Sequence, residues 1–327
     1  MAEIMAKIMD RVSTDPVAWT AETPLPNDGI VNIDADCLRE LNATLETLRT
    51  NPMPMLALNL DDFDIPACRA MMAGVKDTLD NGIGFAILDT LPVETMEKDE
   101  AKALYWLMLS MVGQTVGQSW DGKMMFDVTD TGRAYGAGTG VRGAMTANRH
   151  RYHTDNSYNL APEYVSLLCL QTAMEGGISG LASFYSVHNV LLKEYPDLVP
   201  RFYEPFPYER HRQHAPDDEL VLPKPLFKYD GKSLGVCLGV TRIRAGYEIM
   251  GKTMDARTEA ALDALDEVLL RPELGKEFIF KTGQIQILNN SRIAHRRTAY
   301  TDWPEPERKR HLARIWLRTK GRRFYMG

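Results

Sequence analysis

The sequence predicts an α+β protein with a closed or sandwich-like β core and flanking helices. Three observations support this fold class. Helical apolar spacing dominates the first third of the chain, many short β-like segments with turns follow, and strands do not alternate with helices as they would in a parallel sheet. With 327 residues, 44% of them hydrophobic, the chain can bury a large core. We therefore expect one domain over residues 1–327.

Residues 1–80 are expected to form a helical N-terminal part. Apolar residues recur at helical spacing within residues 4–12, which predicts a short amphipathic helix that packs on the body or on another subunit. A second helix is predicted over residues 38–48. A third begins near Asp64 and ends at the Asn-Gly pair at 81–82.

Residues 81–327 are expected to form the β core, with a helical insertion near 255–272. The Gly-rich, polar segment 128–150 fits no helix or strand pattern and predicts a mobile loop, whereas segment 201–250 alternates β-like runs with turns. "AKALYWLMLSMVG" predicts a helix, and residues 187–195 predict another. The remaining strands are predicted at "GFAILD", "YVSLLCLQTA", "GLASFYS", "EFIFKTGQIQILNN" and "HLARIWLR".

Charge and hydropathy narrow the class of partner. The net charge of −6 and the pI of about 5.7 argue against a surface that binds nucleic acid or an anionic membrane. No apolar run approaches the roughly 18 residues of a membrane span, and no signal peptide is recognisable. We therefore expect a cytoplasmic protein with a small-molecule partner, and we leave homo-oligomerisation open.

The four cysteines are expected to be reduced. They lie far apart and form no C-x-x-C pair, so the spacing predicts neither a zinc ribbon nor a disulfide framework. They are Cys37, Cys68, Cys169 and Cys237.

The segment "RHRYHTDNSYN" carries the strongest candidate for chemistry. On an extended chain His153 and Asp155 project to the same side, so both can reach one metal ion. His295, which follows the strand-like "QIQILNN", is the best candidate for a third ligand. Two histidines and one carboxylate form a facial triad that leaves positions open for substrate and dioxygen. Because a chance H-x-D in a polar loop is commoner than a metal site, a non-catalytic protein remains an alternative.

Other histidines and arginines have more ordinary interpretations. His211 and His214 have metal-binding spacing but lie in "YERHRQHAPDDE", which is typical of an exposed loop. His188 and His311 are expected to be structural. We expect Arg310 and Arg314 to lie on the strand next to His295, where a buried arginine needs a carboxylate. The other cations of this region are expected on a solvated face; they are Arg308, Lys309, Arg318, Lys320, Arg322 and Arg323.

Four motifs together resemble the taurine dioxygenase (TauD/TfdA-type) family of iron(II)- and 2-oxoglutarate-dependent oxygenases, within the clavaminate synthase-like group. They are "HTDNSY", "GGISGLAS" at 176–183, "NNSRIAHRR" and "RHLARIWL". The resemblance covers about residues 80–320 at the level of motifs. It implies a double-stranded β-helix, or jelly-roll, core with flanking helices.

The resemblance also implies roles for individual residues. His153, Asp155 and His295 would bind Fe(II), and Arg310, helped by the hydroxyl of Ser179, would bind the distal carboxylate of the co-substrate 2-oxoglutarate. Oxidation of a C–H bond by dioxygen, with release of succinate and CO2, is the implied reaction. Since Asp155 is present, hydroxylation is expected rather than halogenation, and desaturation, cyclisation and epimerisation are left open.

The main substrate is expected to be a small acidic metabolite, with an amino acid or a derivative as the first candidate. Loops over a rigid core usually set specificity, so segment 128–150 and "PFPYERHRQHAPDDE" are expected to form a lid and a pocket wall. Candidate contacts are Arg149, His150, Tyr158 and Arg314. A cupin-like metal enzyme that does not use 2-oxoglutarate stays an alternative, because it would keep the triad without needing Arg310.

Overall fold

A computed structural model describes residues 7–134 and 141–326. Six α-helices lie within these residues. They are α1 (Ala35–Thr50), α2 (Pro66–Asp80), α3 (Lys98–Ser110), α4 (Phe184–Glu194), α5 (Val240–Ile249) and α6 (Ala256–Leu269).

The strands are numbered in chain order and form two main sheets. The larger sheet has the spatial order β1 (Ile30–Asn32), β2 (Phe85–Asp89), β14 (Ile285–Asn289), β6 (Tyr164–Gln171), β17 (His311–Arg318) and β3 (Gln114–Thr115). A further strand, β4 (Met125–Val128), also pairs with β17. The smaller sheet has the order β13 (Gly275–Phe278), β8 (Ser179–Ser183), β15 (Ile293–Arg297) and β5 (His150–His153). Three two-stranded pairs complete the set: β9 (Pro205–Glu209) with β10 (Val221–Pro225), β11 (Phe227–Tyr229) with β12 (Leu234–Val236), and β7 (Glu175–Gly176) with β16 (Tyr300–Thr301).

The period-2 alternation of the strands separates two apolar layers. On one face of the larger sheet, Leu88, Ile287 and Ile315 pack with the buried side chains of α1, α2 and α3. On the opposite face, Ile87 and Trp316 join a second cluster that includes residues of the smaller sheet, α4 and α6. The two sheets therefore form a sandwich, and the predicted mixed fold with a sandwich-like core is confirmed.

Most predicted elements with clear periodicity are present. The helices expected over 38–48 and after Asp64 are α1 and α2, and the helix expected near 255–272 is α6. α1 begins at a side-chain cap, since the carboxylate of Asp34 accepts the backbone N–H of Cys37. α2 has Pro66 in its first turn, as expected from the fixed φ of proline.

Three predictions of secondary structure were wrong. The amphipathic helix expected over 4–12 is not formed in its described part, residues 7–12, because tertiary contacts keep this segment extended: Met9 is buried and its N–H donates to the hydroxyl of Tyr203. "FYS" belongs to α4 and not to a strand. The region 201–250 ends in α5, which the β-like pattern did not indicate. Residues 1–6 and the glycines at 136, 138 and 140 lie outside the described residues.

The expectation of four reduced cysteines was also wrong. Cys37 of α1 and Cys68 of α2 are joined as a disulfide, while Cys169 and Cys237 are free. Thirty-one positions separate the pair in sequence, so spacing did not reveal it; the packing of α1 on α2 brings the two residues together. Within residues 7–134 and 141–326, no helix has the length and apolar content needed to span a membrane.

The arginine-bearing strand does not lie where the sequence suggested. β17 was expected beside the strand of His295, but β17 pairs with β6, β3 and β4 in the larger sheet, whereas β15 pairs with β8 and β5 in the smaller one. Residues of β17 therefore approach His295 across the sandwich. His295 itself lies within β15 and not at the end of "QIQILNN", which is β14.

Candidate metal centre and adjoining cavities

Two neighbouring strands of the smaller sheet bring two histidines together. β5 and β15 are antiparallel, and His295 lies directly opposite His153 in their register. The centroids of the two imidazole rings are 4.2 Å apart. Cross-strand pairing therefore joins two residues that are far apart in sequence.

Asp155 completes the cluster from a turn just beyond β5. Asn290 fixes this turn: its side-chain oxygen accepts the N–H of Asp155 at 2.8 Å, and its amide group donates to the Asp155 carbonyl at 3.0 Å. Oδ1 of Asp155 then lies 3.3 Å from Nε2 of His153 and 3.6 Å from Nε2 of His295. One atom from each residue lies within 4.8 Å of the others, so the three could ligate one divalent metal ion.

The second carboxylate oxygen of Asp155 is turned away from the histidines. Oδ2 accepts the indole N–H of Trp316 at 2.6 Å and lies 3.0 Å from Nη1 of Arg314. Burial raises the pKa of Asp155, but the charge of Arg314 and the hydrogen bonds of the two histidines outweigh it and keep the pKa well below its usual value. The carboxylate is therefore ionised, with Oδ1 directed at the histidines.

His153 is arranged as a metal-binding histidine usually is, whereas the buried Nδ1 of His295 has no hydrogen-bond partner among the described residues. Nδ1 of His153 lies 2.9 Å from the carbonyl oxygen of Arg151, which directs Nε2 to the centre of the cluster. Burial, followed by the charge of His153, lowers the pKa of His295 to about 4. Neutral imidazole is the form that binds a metal. His150, a candidate substrate contact, stacks on His153 with a centroid separation of 3.7 Å.

A small cavity between the sheets adjoins the cluster. Ser179 and His295 line one side of it, and Arg310 and Gln286 line the other. Arg310 is 4% exposed, and its backbone N–H donates to Asp302. Nη1 of Arg310 and Nε2 of Gln286 have no hydrogen-bond partner among the described residues. A buried guanidinium without an anion is costly, so this cavity is suited to an anionic ligand.

A second, larger cavity of about 280 Å³ also adjoins the cluster. The four residues named as candidate substrate contacts all line it: Arg149, His150, Tyr158 and Arg314. His211 also lines it, so the segment expected as a pocket wall contributes to the cavity. Contact of these residues with a substrate stays a prediction.

The sequence of residues 51–316 matches the family model described as "Taurine catabolism dioxygenase TauD, TfdA family". The match covers more than half of the chain. The chain belongs to the TauD/TfdA family. The predicted family and its oxygenase class are thereby confirmed.

The TauD/TfdA chain is similar in sequence to a synthase and to a hydroxylase-like protein. FR-33289 synthase of Streptomyces rubellomurinus is 27% identical over 283 residues, which cover 84% of this chain and 82% of that protein. A taurine hydroxylase-like protein of Stachybotrys chartarum is 28% identical over 316 residues, which cover 92% of this chain and 78% of that protein.

Solved structures share the fold at low sequence identity. Asparagine oxygenase in complex with Fe(II), 2S,3S-3-hydroxyasparagine and succinate has a TM-score of 0.66 and 18% identity, over 89% of this chain and 94% of that one. The non-heme iron oxygenase OrfP in complex with Fe and alpha-ketoglutaric acid has a TM-score of 0.63 and 15% identity, over 89% and 94%. The predicted jelly-roll core with flanking helices is confirmed for this TauD/TfdA chain.

Two surface predictions for the TauD/TfdA chain were wrong. Arg318 was expected on a solvated face but is 4% exposed, and its guanidinium donates to the carbonyls of Leu160 and Tyr325. His211 was assigned to an exposed loop but is 8% exposed. Its Nδ1 lies 2.7 Å from Nη1 of Arg242, on the helix α5 that the sequence pattern missed. Arg308 is half-exposed beside Trp303 and does not line the cavities.

Sequence reasoning overlooked several residues at the TauD/TfdA site. Trp316 could have been found, because the alternation of a strand places it on the same face as Arg314. Gln286 carries a similar signal within "QIQIL", where a polar residue interrupts apolar neighbours. The sequence gives no such signal for Arg297. Its guanidinium donates to the carbonyls of Thr146 and Asn148, which come close to it only in the folded chain.

Proposed function

We propose that this chain is an Fe(II)- and 2-oxoglutarate-dependent oxygenase that hydroxylates a C–H bond of a small anionic metabolite. In the overall reaction one oxygen atom of dioxygen enters the substrate and the other enters succinate, and CO2 is released. The observation that supports this proposal most directly is the buried Nη1 of Arg310, which has no hydrogen-bond partner among the described residues, in a cavity that adjoins a His-Asp-His cluster.

The residues of the site fit both Fe(II) and 2-oxoglutarate. His153, Oδ1 of Asp155 and His295 would hold the iron, and Arg310 with the hydroxyl of Ser179 would hold the distal carboxylate of 2-oxoglutarate. Iron with bound 2-oxoglutarate supplies the activation of dioxygen. A metal enzyme without 2-oxoglutarate has no use for a buried, unpaired Arg310, so this feature favours the oxygenase over the cupin-like alternative.

The chain's own side chains would orient the reactants. Trp316 and Arg314 restrain Oδ2 of Asp155, so that Oδ1 faces the metal position. His150 stacks on the ring of His153. The larger cavity, which also adjoins the triad, would hold the main substrate.

An amino acid or amino-acid derivative is our proposal for the main substrate. Two structures with this fold, those of asparagine oxygenase and of OrfP, are complexes with 3-hydroxyasparagine and (3S)-hydroxy-L-Arg, respectively. The five arginines of the larger cavity suit an acidic group on such a molecule. Arg149, His150, Tyr158 and Arg314 are the proposed contacts.

The first experiment is anaerobic addition of Fe(II) and then 2-oxoglutarate to the metal-free protein. The proposal expects a visible metal-to-ligand charge-transfer band only after both are present. The variant Asp155→Ala serves as the control and should lose or alter the band. Folded, iron-loaded wild-type protein that binds no 2-oxoglutarate would contradict the proposal and favour the cupin-like alternative; protein that binds no iron would favour a non-catalytic one.

Three further expectations, on domain organisation, cellular location and partners, belong to this proposal. We propose that residues 1–327 act as one oxygenase domain, with a helical part over 1–80 and the core with its insertion over 81–327. We also propose a cytoplasmic location and no nucleic-acid or membrane partner. Gel filtration with light scattering would determine whether the chain forms a homo-oligomer.

A further inference from the structure

The larger cavity has an excess of positive charge although the chain as a whole carries −6. Five arginines line this cavity, against two acidic residues. Three of the five have carboxylate partners: Arg151 with Asp266 at 3.5 Å, Arg242 with Glu209 at 2.5 Å, and Arg314 with Asp155 at 3.0 Å. Arg149 is exposed to solvent. The fifth arginine, Arg142, is half-buried, and its contacts differ from those of the other four.

Arg142 is held in place only by neutral groups. Its Nη1 donates to the backbone carbonyl of Gln118 at 2.8 Å, and its Nη2 donates to the side-chain oxygen of Gln213. Its guanidinium carbon lies 5.4 Å from the ring centroid of Phe126. Neither hydrogen-bond partner is a carboxylate, and the charge of Arg142 acts on the carboxylate of Asp121 without a hydrogen bond between them. Its charge is therefore ordered but not compensated.

The neighbours of Arg142 are suited to an anion rather than to a cation. Tyr158 and His211 both line the cavity, and their ring centroids are 6.3 Å apart. Nδ1 of His211 accepts the N–H of Arg242, so this imidazole is neutral. Burial, together with the charges of Arg242 and Arg142, lowers the pKa of His211 to about 3. His211 therefore adds no positive charge of its own, and the attraction for an anion comes from the guanidinium groups of the cavity.

One glutamine connects Arg142 to the metal ligands. The side-chain oxygen of Gln118 accepts Nε of Arg314 at 2.9 Å, while its backbone carbonyl accepts Arg142. Arg314, which the sequence suggested for substrate binding, already pairs with Asp155. An anion at Arg142 would therefore lie one side chain away from the metal ligands, with the rest of the bound molecule extending over the triad.

We propose that Arg142 is a specificity-determining residue that binds an anionic group of the main substrate, namely a carboxylate, sulfonate or phosphonate. This inference rests on the proposed function, because it assigns the substrate to the larger cavity. A planar guanidinium that already uses two donors on fixed oxygens keeps its remaining N–H groups in one orientation. Arg142 thus selects molecules with a negative charge at a defined distance from the oxidised carbon.

The test measures the binding of three small anions to the protein loaded with Co(II) and 2-oxoglutarate. Acetate, methanesulfonate and methylphosphonate are titrated calorimetrically into wild type and Arg142→Gln; prior loading occupies the cavity of Arg310. We expect at least one probe to bind wild type and to bind Arg142→Gln about 10-fold more weakly, the loss typical of a charge-assisted hydrogen bond. The probe that binds best indicates the acidic group.

Two further variants make the result decisive. Arg151→Gln removes a cation from the same cavity that is already paired with Asp266, and it should change the affinity less than about 2-fold. Arg142→Lys keeps the charge and should retain part of the affinity, which separates loss of charge from misfolding. Equal weakening in Arg142→Gln and Arg151→Gln would overturn the proposal, since it would reflect only the overall potential of the cavity. Unchanged binding in Arg142→Gln would overturn it too.

Failure of the proposed function would be recognised separately. Loading is followed by the visible absorption of Co(II) and by the heat of 2-oxoglutarate binding. If loading fails, the proposed oxygenase is wrong, and the three anions are titrated into the unloaded protein instead. Loss of binding on Arg142→Gln would still support the anion site there, and no loss would overturn it.

Discussion

The indole N–H of Trp316 donates to Oδ2 of Asp155 at 2.6 Å. Because Oδ2 is engaged in this way, Oδ1 is the oxygen that faces His153 and His295. Trp316 belongs to the larger sheet and Asp155 follows β5 of the smaller one, so the contact crosses the sandwich. The orientation of one ligand therefore depends on the packing of the two sheets.

Replacement of Trp316 by Phe should weaken metal binding by about 10- to 100-fold, the usual effect of removing a hydrogen bond to a ligand. Trp19→Phe is a matched control, because Trp19 is also buried and its indole donates to the Ile83 carbonyl at 2.8 Å, away from the cluster. Co(II) titration measures both variants. If both lose metal affinity equally, Trp316 acts only through stability and not by positioning Asp155.

Replacement of Arg310 by Ala should weaken 2-oxoglutarate binding by about 10- to 100-fold and leave the affinity for Fe(II) nearly unchanged. The reason is that Arg310 lines the small cavity without contacting a metal ligand, and a hydrogen bond to a charged group contributes about 1.5–3 kcal/mol. Anaerobic titration of the charge-transfer band gives both affinities. Arg308→Ala, at a half-exposed site beside Trp303, should behave like wild type; equal loss of both ligands in Arg310→Ala would contradict the assignment.

The stability of the fold should decrease with acidity through His188. This histidine is fully buried, with Nε2 2.8 Å from the hydroxyl of Tyr203, and burial lowers its pKa from 6.5 to about 4. Since the folded-state pKa lies below the unfolded-state value, protons bind the unfolded chain more tightly. The free energy of unfolding is therefore expected to fall as the pH drops from about 6.5 to about 4, by up to about 3 kcal/mol from this residue.

Urea unfolding at pH 7.5 and pH 5 would measure this effect of His188. His188→Gln cannot titrate, so it should lose less stability between the two pH values than wild type does. His214→Gln, which removes a histidine from a partly exposed loop, is the control for the loss of an imidazole elsewhere in the chain. An unchanged pH dependence in His188→Gln would rule out this explanation.

Two helical glycines should respond to alanine in opposite directions. A Cβ at Gly74 of α2 would meet no atom within 4 Å, so Gly74→Ala should stabilise the chain by about 0.5–1 kcal/mol through the higher helix propensity of alanine. A Cβ at Gly246 of α5 would lie 2.1 Å from the carbonyl oxygen of Pro207, so Gly246→Ala should destabilise it by about 1–3 kcal/mol. Thermal unfolding would check both, and the same sign for both would contradict the close packing of α5 on β9.

Local sequence patterns predicted those elements whose neighbours in sequence decide their conformation. α1 and α2 have apolar residues at helical spacing and recognisable starts, and β6 and β17 have long apolar runs. α5 was missed because its position depends on tertiary contact: Gly246 allows close approach to Pro207, a feature without a local signal. The N-terminal segment was wrong for the same reason, since Met9 is held by Tyr203.

By itself, the sequence determined the fold class, the family and the identity of the three candidate metal ligands, because the motifs carry the residue types that the chemistry needs. Only the tertiary structure decided how these three ligands come together. His295 lies opposite His153 through strand register, and Trp316 and Arg314 reach Asp155 from the other sheet. Burial of apolar surface over the whole chain selects these long-range pairings, and no local spacing encodes them.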